Sequence, residues 1–154
     1  MSLNFMFAAA FLLAIVSQTS AALTLEIENP CGGAPWLQYH FKRSSENTAG
    51  DATISALDSN AIQYVGTSAG ISSIRATPTG DDALEVLSPT HMRAYGWCFL
   101  FNGVAPDKMP DQILLASDSD RIYWYFGFAE FKDGDWISYC TPTHIGKPAF
   151  ICAR

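Results

Sequence analysis

Apolar and polar residues alternate in several short runs of the chain, which is the pattern of a β-strand with one buried face. The first run, Leu23 to Glu28, places leucine or isoleucine at every second position, between threonine and glutamate. Asparagine, proline and glycine at 29–33 indicate a turn, and an aromatic strand is predicted from Trp36 to Phe41. These runs predict a β-hairpin at the start of the domain.

One segment has helical spacing instead. A polar stretch from Ser44 to Gly50 is predicted to be a loop, and Asp51 or Thr53 can cap a short amphipathic helix that follows it. The apolar positions of this helix are Ile54, Leu57, Ala61 and Ile62.

The rest of the chain again has β patterns. Turns are predicted at Asn102-Gly103 and from Lys132 to Asp135, because these residues tolerate positive φ. Residues 83–87 are ambiguous between a strand and a helical turn. The predicted strands are Gly70 to Ile74, Tyr95 to Phe101, Ile113 to Leu115, Arg121 to Phe131, Trp136 to Tyr139 and Ala149 to Cys152. This order of elements predicts an α+β domain built on a mixed sheet.

The first 22 residues carry no charged side chain and contain an apolar run from Phe5 to Val16. Small residues follow it, and Ser20 and Ala22 match the small-x-small rule for signal peptidase. We predict a signal peptide at 1–22, cleaved after Ala22 or, as a second choice, after Ala21. A buried N-terminal helix is the alternative.

Composition limits the class of protein. The 154 residues include 9 lysines and arginines against 15 aspartates and glutamates, a formal charge of −6, so nucleic acid is not an expected partner. Hydrophobic residues make up 49% of the chain, which excludes disorder as its main state. With no linker or repeat in the pattern, residues 23–154 are predicted to form a single domain. No lipid anchor is expected, since no cysteine lies at the cleavage site.

All four cysteines lie after the predicted signal peptide, and an even number in an exported chain indicates two disulfides. A zinc site is disfavoured because the chain has no C-x-x-C motif and its histidines, His40, His91 and His144, are far apart. We therefore expect an exported protein, periplasmic or secreted.

Strand parity limits how the cysteines pair. If 136–140 and 149–152 form a hairpin, Cys140 and Cys152 point to opposite faces of the sheet and cannot reach bonding distance. We therefore predict that Cys140 and Cys152 bond to Cys31 and Cys98, with Cys98–Cys140 the preferred pair.

Four segments of the sequence resemble the domain-of-unknown-function 4430 family and occur along the chain in the order that this family has. The family is related to the C-terminal β-domain of transcobalamin. Tyr95 to Gly103, YGWCFLFNG, is similar to its G-W-x-Y-x-V-N-G signature. The other segments are Ala52 to Leu57, Gly70 to Ile74 and Asp120 to Tyr125. Ser119, just before the last of these segments, stands where the family usually has glycine.

The resemblance implies a β-grasp-like mixed sheet with one short helix, to which this chain adds C-terminal strands and disulfides. It also implies a ligand-binding role. Transcobalamin covers one face of cobalamin with this domain and holds the other face with a separate helical domain. Because the sequence has no such helical domain, we expect no cofactor, and cobalamin is implied by the resemblance alone.

Catalytic signatures are not found in the sequence. It contains no G-x-S-x-G, H-E-x-x-H, Walker or G-x-G-x-x-G motif, and the spacing around Asp118 and Asp120 does not fit an EF-hand. No metal site is expected. An uncharacterised hydrolase remains an alternative, which a polar cluster joining a histidine to an aspartate or serine would favour.

The concentration of aromatic residues is the most informative feature for function. Alternation along the predicted strand at 121–131 places tyrosines on one face and tryptophan and phenylalanine on the other. If one face stays open, it forms an aromatic surface for a small molecule, a glycan or a protein. The candidate ligand-binding residues are Trp97, Tyr123, Trp124, Tyr125, Phe126, Phe128 and Trp136.

Two functions follow from these patterns. The first is an exported, non-catalytic binding module that uses the aromatic surface. The alternative is an envelope or cell-surface structural or interaction protein whose aromatic residues are packed in its core.

Overall fold

The structure is a computed structural model that describes residues 22–42, 48–144, 148 and 150–152. The predicted signal peptide therefore lies outside the described residues, apart from Ala22. Within the described part, the chain forms one α-helix and eight β-strands. Their bounds are β1 Leu23–Ile27, β2 Leu37–Phe41, α1 Ala49–Ser59, β3 Tyr64–Thr67, β4 Gly70–Ile74, β5 Leu84–Ser88, β6 His91–Phe101, β7 Arg121–Lys132 and β8 Asp135–Pro142.

The strands form a six-stranded sheet and a separate two-stranded sheet. The main sheet has the order β2-β1-β7-β6-β5, with β8 also paired to β7, and β3 pairs with β4 in the small sheet. Only the pairing of β1 with β7 is parallel among the described strands. The prediction of an α+β domain with a mixed sheet is confirmed.

The long strand β7 organises the main sheet. β6 pairs with it along almost its whole length, from His91 opposite Lys132 to Phe101 opposite Ile122. On its other edge, β1 pairs with the first residues of β7 and β8 pairs with the last. Because β7 lies inside the sheet, its side chains contribute to both faces.

Helix α1 covers one face of the sheet, which we call the core face. Thr48 caps the helix: its hydroxyl accepts a hydrogen bond from the Asp51 backbone N–H at 3.1 Å, and the Asp51 carboxylate accepts one from the Thr48 backbone N–H. The prediction that Asp51 or Thr53 caps the helix is wrong, because both lie inside it. Ala61 also lies outside the helix, in a left-handed, exposed position.

Several strand predictions need correction. β3 was not predicted, because it has no buried residue and so no alternation. Residues 113–115 form no strand; Leu114 makes an isolated bridge to Thr48. The ambiguous segment at 83–87 belongs mainly to β5. Of the predicted loop at 44–50, residues 44–47 lie outside the described residues, and 49–50 belong to α1.

Two disulfides join Cys31 to Cys152 and Cys98 to Cys140, which confirms the predicted pairing. The hairpin used to predict it is not present, because residues 150–152 form a turn and a bend. β8 pairs with β7 instead of with a C-terminal strand. In the part of the chain that the structure describes, no helix is both long and apolar enough to span a bilayer.

Candidate functional site: a tyrosine cleft on the outer face of the sheet

The aromatic residues of β7 divide between the two faces of the sheet, as alternation predicts. Trp124, Phe126 and Phe128 point to the core face and are at most 3% exposed. Tyr123 and Tyr125 point to the opposite, outer face. The outer face also receives Cys98 and Leu100 of β6, which stand opposite these tyrosines.

The two core tryptophans have hydrogen-bond partners inside the protein. The indole N–H of Trp124 donates to the hydroxyl of Thr53 on α1 at 3.1 Å. The indole N–H of Trp97 donates to the hydroxyl of Thr77 at 2.8 Å. A buried tryptophan normally requires a hydrogen-bond acceptor for its indole N–H, and both residues have one, as expected for tryptophans of a protein core.

Four of the seven predicted ligand-binding residues are therefore part of the core. Trp97 packs edge-on against Phe126, with ring centroids 5.5 Å apart, and both residues belong to the hydrophobic core. Of the two faces that alternation predicts, the one with Trp124, Phe126 and Phe128 is packed in the core, so the candidate surface is limited to the tyrosine face. The residues removed from the candidate site are Trp97, Trp124, Phe126 and Phe128.

The tyrosines of the outer face line a cavity of about 210 Å³. We call it the tyrosine cleft. The rings of Tyr123 and Tyr125 are stacked, with centroids 5.9 Å apart and planes inclined by 15°, and together they form one wall of the cleft. The lining residues are Glu28, Leu100, Tyr123, Tyr125, Pro142 and His144.

Hydrogen bonds hold both tyrosine rings in place. The Tyr123 hydroxyl donates to the Glu28 carboxylate at 2.9 Å, and the Tyr125 hydroxyl donates to the Cys140 carbonyl at 2.8 Å. Burial, followed by the bond to Glu28, raises the pKa of Tyr123. Burial and the charge of Glu28 raise the pKa of Tyr125. Both phenols therefore stay neutral donors at ordinary pH, with their ring orientation fixed.

Glu28 reaches the cleft because β1 runs parallel to the start of β7. Its backbone N–H donates to the Trp124 carbonyl at 2.8 Å, which continues the ladder just past β1. Sequence analysis did not select Glu28, Leu100, Pro142 or His144. Alternation along β1 does place Glu28 on the outer face, after Thr24 and Glu26. Its contact with Tyr123, however, joins residues 95 positions apart in the sequence, and no local pattern indicates such a contact.

A second cavity of about 440 Å³ adjoins the tyrosine cleft and shares Leu100 and Tyr123 with it. It is more polar, because outward side chains of β1 and β2 line it together with Arg121. Its other polar lining residues include Thr24, Glu26, Gln38 and His40. The outer face thus offers a small apolar cleft that opens beside a polar cavity.

No protein-family model, curated protein or solved structure matches this chain. The functional assignment therefore depends on the geometry of the chain itself.

Trp136, the last of the predicted ligand-binding residues, lies away from the tyrosine cleft. It stands opposite Phe131 in the register, Phe131 stands opposite Met92, and Met92 stands opposite Val86. These four residues, which we call the apolar row, cross four strands on one face of the sheet. Trp136 is 43% exposed and Val86 is 73% exposed, so the row faces solvent at both ends.

A polar cluster lies at the His91 end of the sheet. The Nε2 atom of His91 is hydrogen-bonded to Glu130, and Arg93 lies within ion-pair distance of both Glu130 and Glu85. The partners of His91 and Arg93 are carboxylates of glutamate, and the arrangement is that of a salt-bridge network. Among the described residues, no group of histidine, cysteine, aspartate and glutamate side chains could hold a metal ion.

Proposed function

We propose that this protein is an exported, non-catalytic binding module that takes a small molecule into the tyrosine cleft. The observation that carries the proposal is the cleft itself: two parallel tyrosine rings, a leucine and a proline enclose apolar space beside a single carboxylate, Glu28. Small-molecule sites are typically concave and mostly apolar, with a few fixed polar groups. The fixed phenol hydroxyls and Glu28 supply those polar groups.

Two features support the location of this module. The two disulfides fit an oxidising, extracellular compartment. The predicted signal peptide at 1–22 supports export to the periplasm or the cell exterior. The proposal includes no cofactor.

We also propose the β-grasp-like relationship to the transcobalamin C-terminal domain that the sequence resemblance implies. The β1–β2 hairpin, helix α1 and the parallel pairing of β1 with β7 are compatible with this assignment. The ligand is expected to be small, because about 210 Å³ lies below the usual range of 300–1,000 Å³ for ligand pockets.

Filling the cleft tests the proposed function. Leu100→Trp places a larger side chain in the lining, whereas Leu87→Trp makes the same change at an exposed position of β5. A library of small molecules is screened against the oxidised protein by two-dimensional NMR. We expect hits that shift the resonances of Leu100 and Tyr123, and that are lost in Leu100→Trp but kept in Leu87→Trp. Hits that bind Leu100→Trp unchanged, or no hits, would contradict the proposal.

The apolar row favours a second candidate function, a structural or interaction protein of the cell envelope. The core tryptophans fit this alternative, and the apolar row, with Val86 and Trp136 exposed at its ends and Met92 and Phe131 half-buried between them, is a surface suited to a protein partner. A photo-crosslinking residue at Trp136 in the exported protein tests it, with Val65 of β3, also exposed, as the control position. Adducts at position 136 alone would favour this function, and equal crosslinking at both positions would count against it.

A further inference from the structure

Glu28 is the only carboxylate that lines the tyrosine cleft within the described residues, and it has no cationic partner there. The ion pairs of the described part belong to the cluster of His91 and Arg93 at the other end of the sheet. Glu28 instead accepts a neutral hydrogen bond from Tyr123. A carboxylate beside apolar side chains, with only a phenol as its partner, leaves a negative charge that a bound cation would neutralise.

The tyrosine wall has the same electrostatic preference. The face of an aromatic ring carries negative potential, and a cation within about 6 Å of the ring centroid is attracted to it. The rings of Tyr123 and Tyr125 are stacked, with centroids 5.9 Å apart, and both line the cleft, so a cation held there lies beside aromatic surface. The charge of Glu28 contributes to the raised pKa of both phenols.

The size and lining of the cleft narrow the type of cation. A volume of about 210 Å³ corresponds to about seven non-hydrogen atoms, at roughly 30 Å³ for each water-sized group. A primary ammonium brings three N–H donors, and apart from Glu28 and the phenol oxygens the cleft offers it only Leu100, Pro142, ring carbons and the exposed His144. A methylated ammonium has the charge without donors that require partners.

We propose that the tyrosine cleft binds a methylated ammonium group, with the charge beside Glu28 and the methyl groups against Tyr123, Tyr125 and Leu100. This inference rests on the proposed function, because it names the ligand class of the same cleft. Glu28 sets the preference for positive charge, and the tyrosine faces and Leu100 contact the apolar surface of the group. The other titratable residues of the cleft are the two tyrosines and His144, which is exposed.

Calorimetric titration with two probes of the same shape tests the proposal. Choline carries a trimethylammonium group, and 3,3-dimethylbutan-1-ol replaces the nitrogen with carbon and has no charge. The titrations are run on the oxidised protein at pH 8, where an ordinary histidine is uncharged. We expect choline to bind at least about tenfold more tightly than the neutral alcohol.

Two variants assign the preference to Glu28. Glu28→Gln keeps an acceptor for the Tyr123 hydroxyl but removes the charge, and we expect it to weaken choline binding about tenfold while leaving the alcohol unchanged. Asp81→Asn removes the same charge from an exposed residue outside the cleft and is expected to change neither affinity. Tyr123→Leu is expected to weaken choline binding by about three- to thirtyfold through loss of the ring face.

The possible results separate this inference from the proposed function. Equal binding of choline and the alcohol, both lost in Leu100→Trp, would overturn the cation preference and keep the cleft as a binding site. An unchanged choline affinity in Glu28→Gln would also overturn the inference. If library screening finds ligands for the cleft but neither probe binds, the ligand class is wrong; if nothing binds the cleft, both proposals fail.

Discussion

Cys98 of β6 is bonded to Cys140 of β8, although β7 lies between these two strands in the sheet. The bridge crosses β7 above Gly127, and Cys140 adopts a left-handed backbone conformation with φ near 50°. The Cα atoms of the two cysteines are thereby brought to 5.8 Å. The same segment of β8 supplies the carbonyl that holds Tyr125 and the Pro142 ring that lines the tyrosine cleft.

Gly127→Ala is expected to destabilise the protein by about 1–3 kcal/mol, because a methyl group there is overpacked. Its Cβ would lie 3.0 Å from the Thr141 carbonyl oxygen and 3.3 Å from the Cys98 sulfur. Urea unfolding measures the change. Gly96→Ala is the matched control, since Gly96 stands opposite Gly127 and a Cβ there meets nothing within 4 Å. Equal losses in the two variants would contradict this explanation of Gly127.

Removing the two disulfides separately is expected to affect stability and binding differently. The Cys98–Cys140 bridge closes a separation of 42 residues and the Cys31–Cys152 bridge one of 121, for which the chain-entropy relation gives about 4 and about 5 kcal/mol. Double alanine variants, unfolded in urea, test this order. Only loss of Cys98–Cys140 is expected to weaken ligand binding in the cleft, because only that bridge holds the Tyr125 acceptor. Weaker binding after loss of Cys31–Cys152 alone would count against this role.

Thr53→Val is expected to destabilise the protein by about 1–3 kcal/mol, since it leaves the buried Trp124 indole N–H without its acceptor. The substitution keeps the volume of the side chain nearly constant and also removes the hydrogen bond that the Thr53 hydroxyl donates to the Ala49 carbonyl at 2.7 Å, so the loss reports both contacts of that hydroxyl. Thr79→Val is the control, because Thr79 is exposed and its side chain makes no capping hydrogen bond. Comparable stability of the two variants in urea would show that the Trp124–Thr53 contact contributes little.

Acid stability is expected to depend on Glu130. The hydrogen bond with His91, helped by Arg93, lowers the pKa of Glu130 below its usual value. The folded state therefore gains stability from this carboxylate above the unfolded pKa, about 4.3, and loses it as the pH falls through the lower folded value. Urea midpoints between pH 3 and 7 measure the effect.

Glu130→Gln is expected to flatten the acid side of that stability profile, whereas Asp135→Asn, at the exposed first residue of β8, leaves it unchanged. An acid profile identical in wild type and Glu130→Gln would show that the His91–Glu130 contact does not couple stability to pH.

Local patterns were sufficient where one face of a strand is buried. β1 has three fully buried apolar residues, Leu23, Leu25 and Ile27, at alternate positions, and it was predicted almost to the residue. β3 has no buried residue and gave no signal. Residues 113–115 form no strand despite their apolar side chains, because Leu115 is buried in the core from a loop.

The candidate site was harder to predict, because it depends on which strands meet. Parity separated Tyr123 and Tyr125 from Trp124, Phe126 and Phe128 correctly. Parity could not determine which face of the sheet α1 covers. Trp97 and Trp124 are buried because α1 covers the face on which they lie. Glu28 joins the tyrosines only through the parallel pairing of β1 with β7, which is set by the tertiary fold.

The parallel pairing of β1 with β7 also affects how the chain folds. Residues 24–27 find their partners at 121–124, so the main sheet closes only after about four-fifths of the 154 residues are available. Contacts over such long sequence separations are associated with folding in milliseconds to seconds, because a large loop must be ordered first. Until β7 arrives, the β1–β2 hairpin has an unpaired edge, a type of edge that promotes aggregation in incomplete chains.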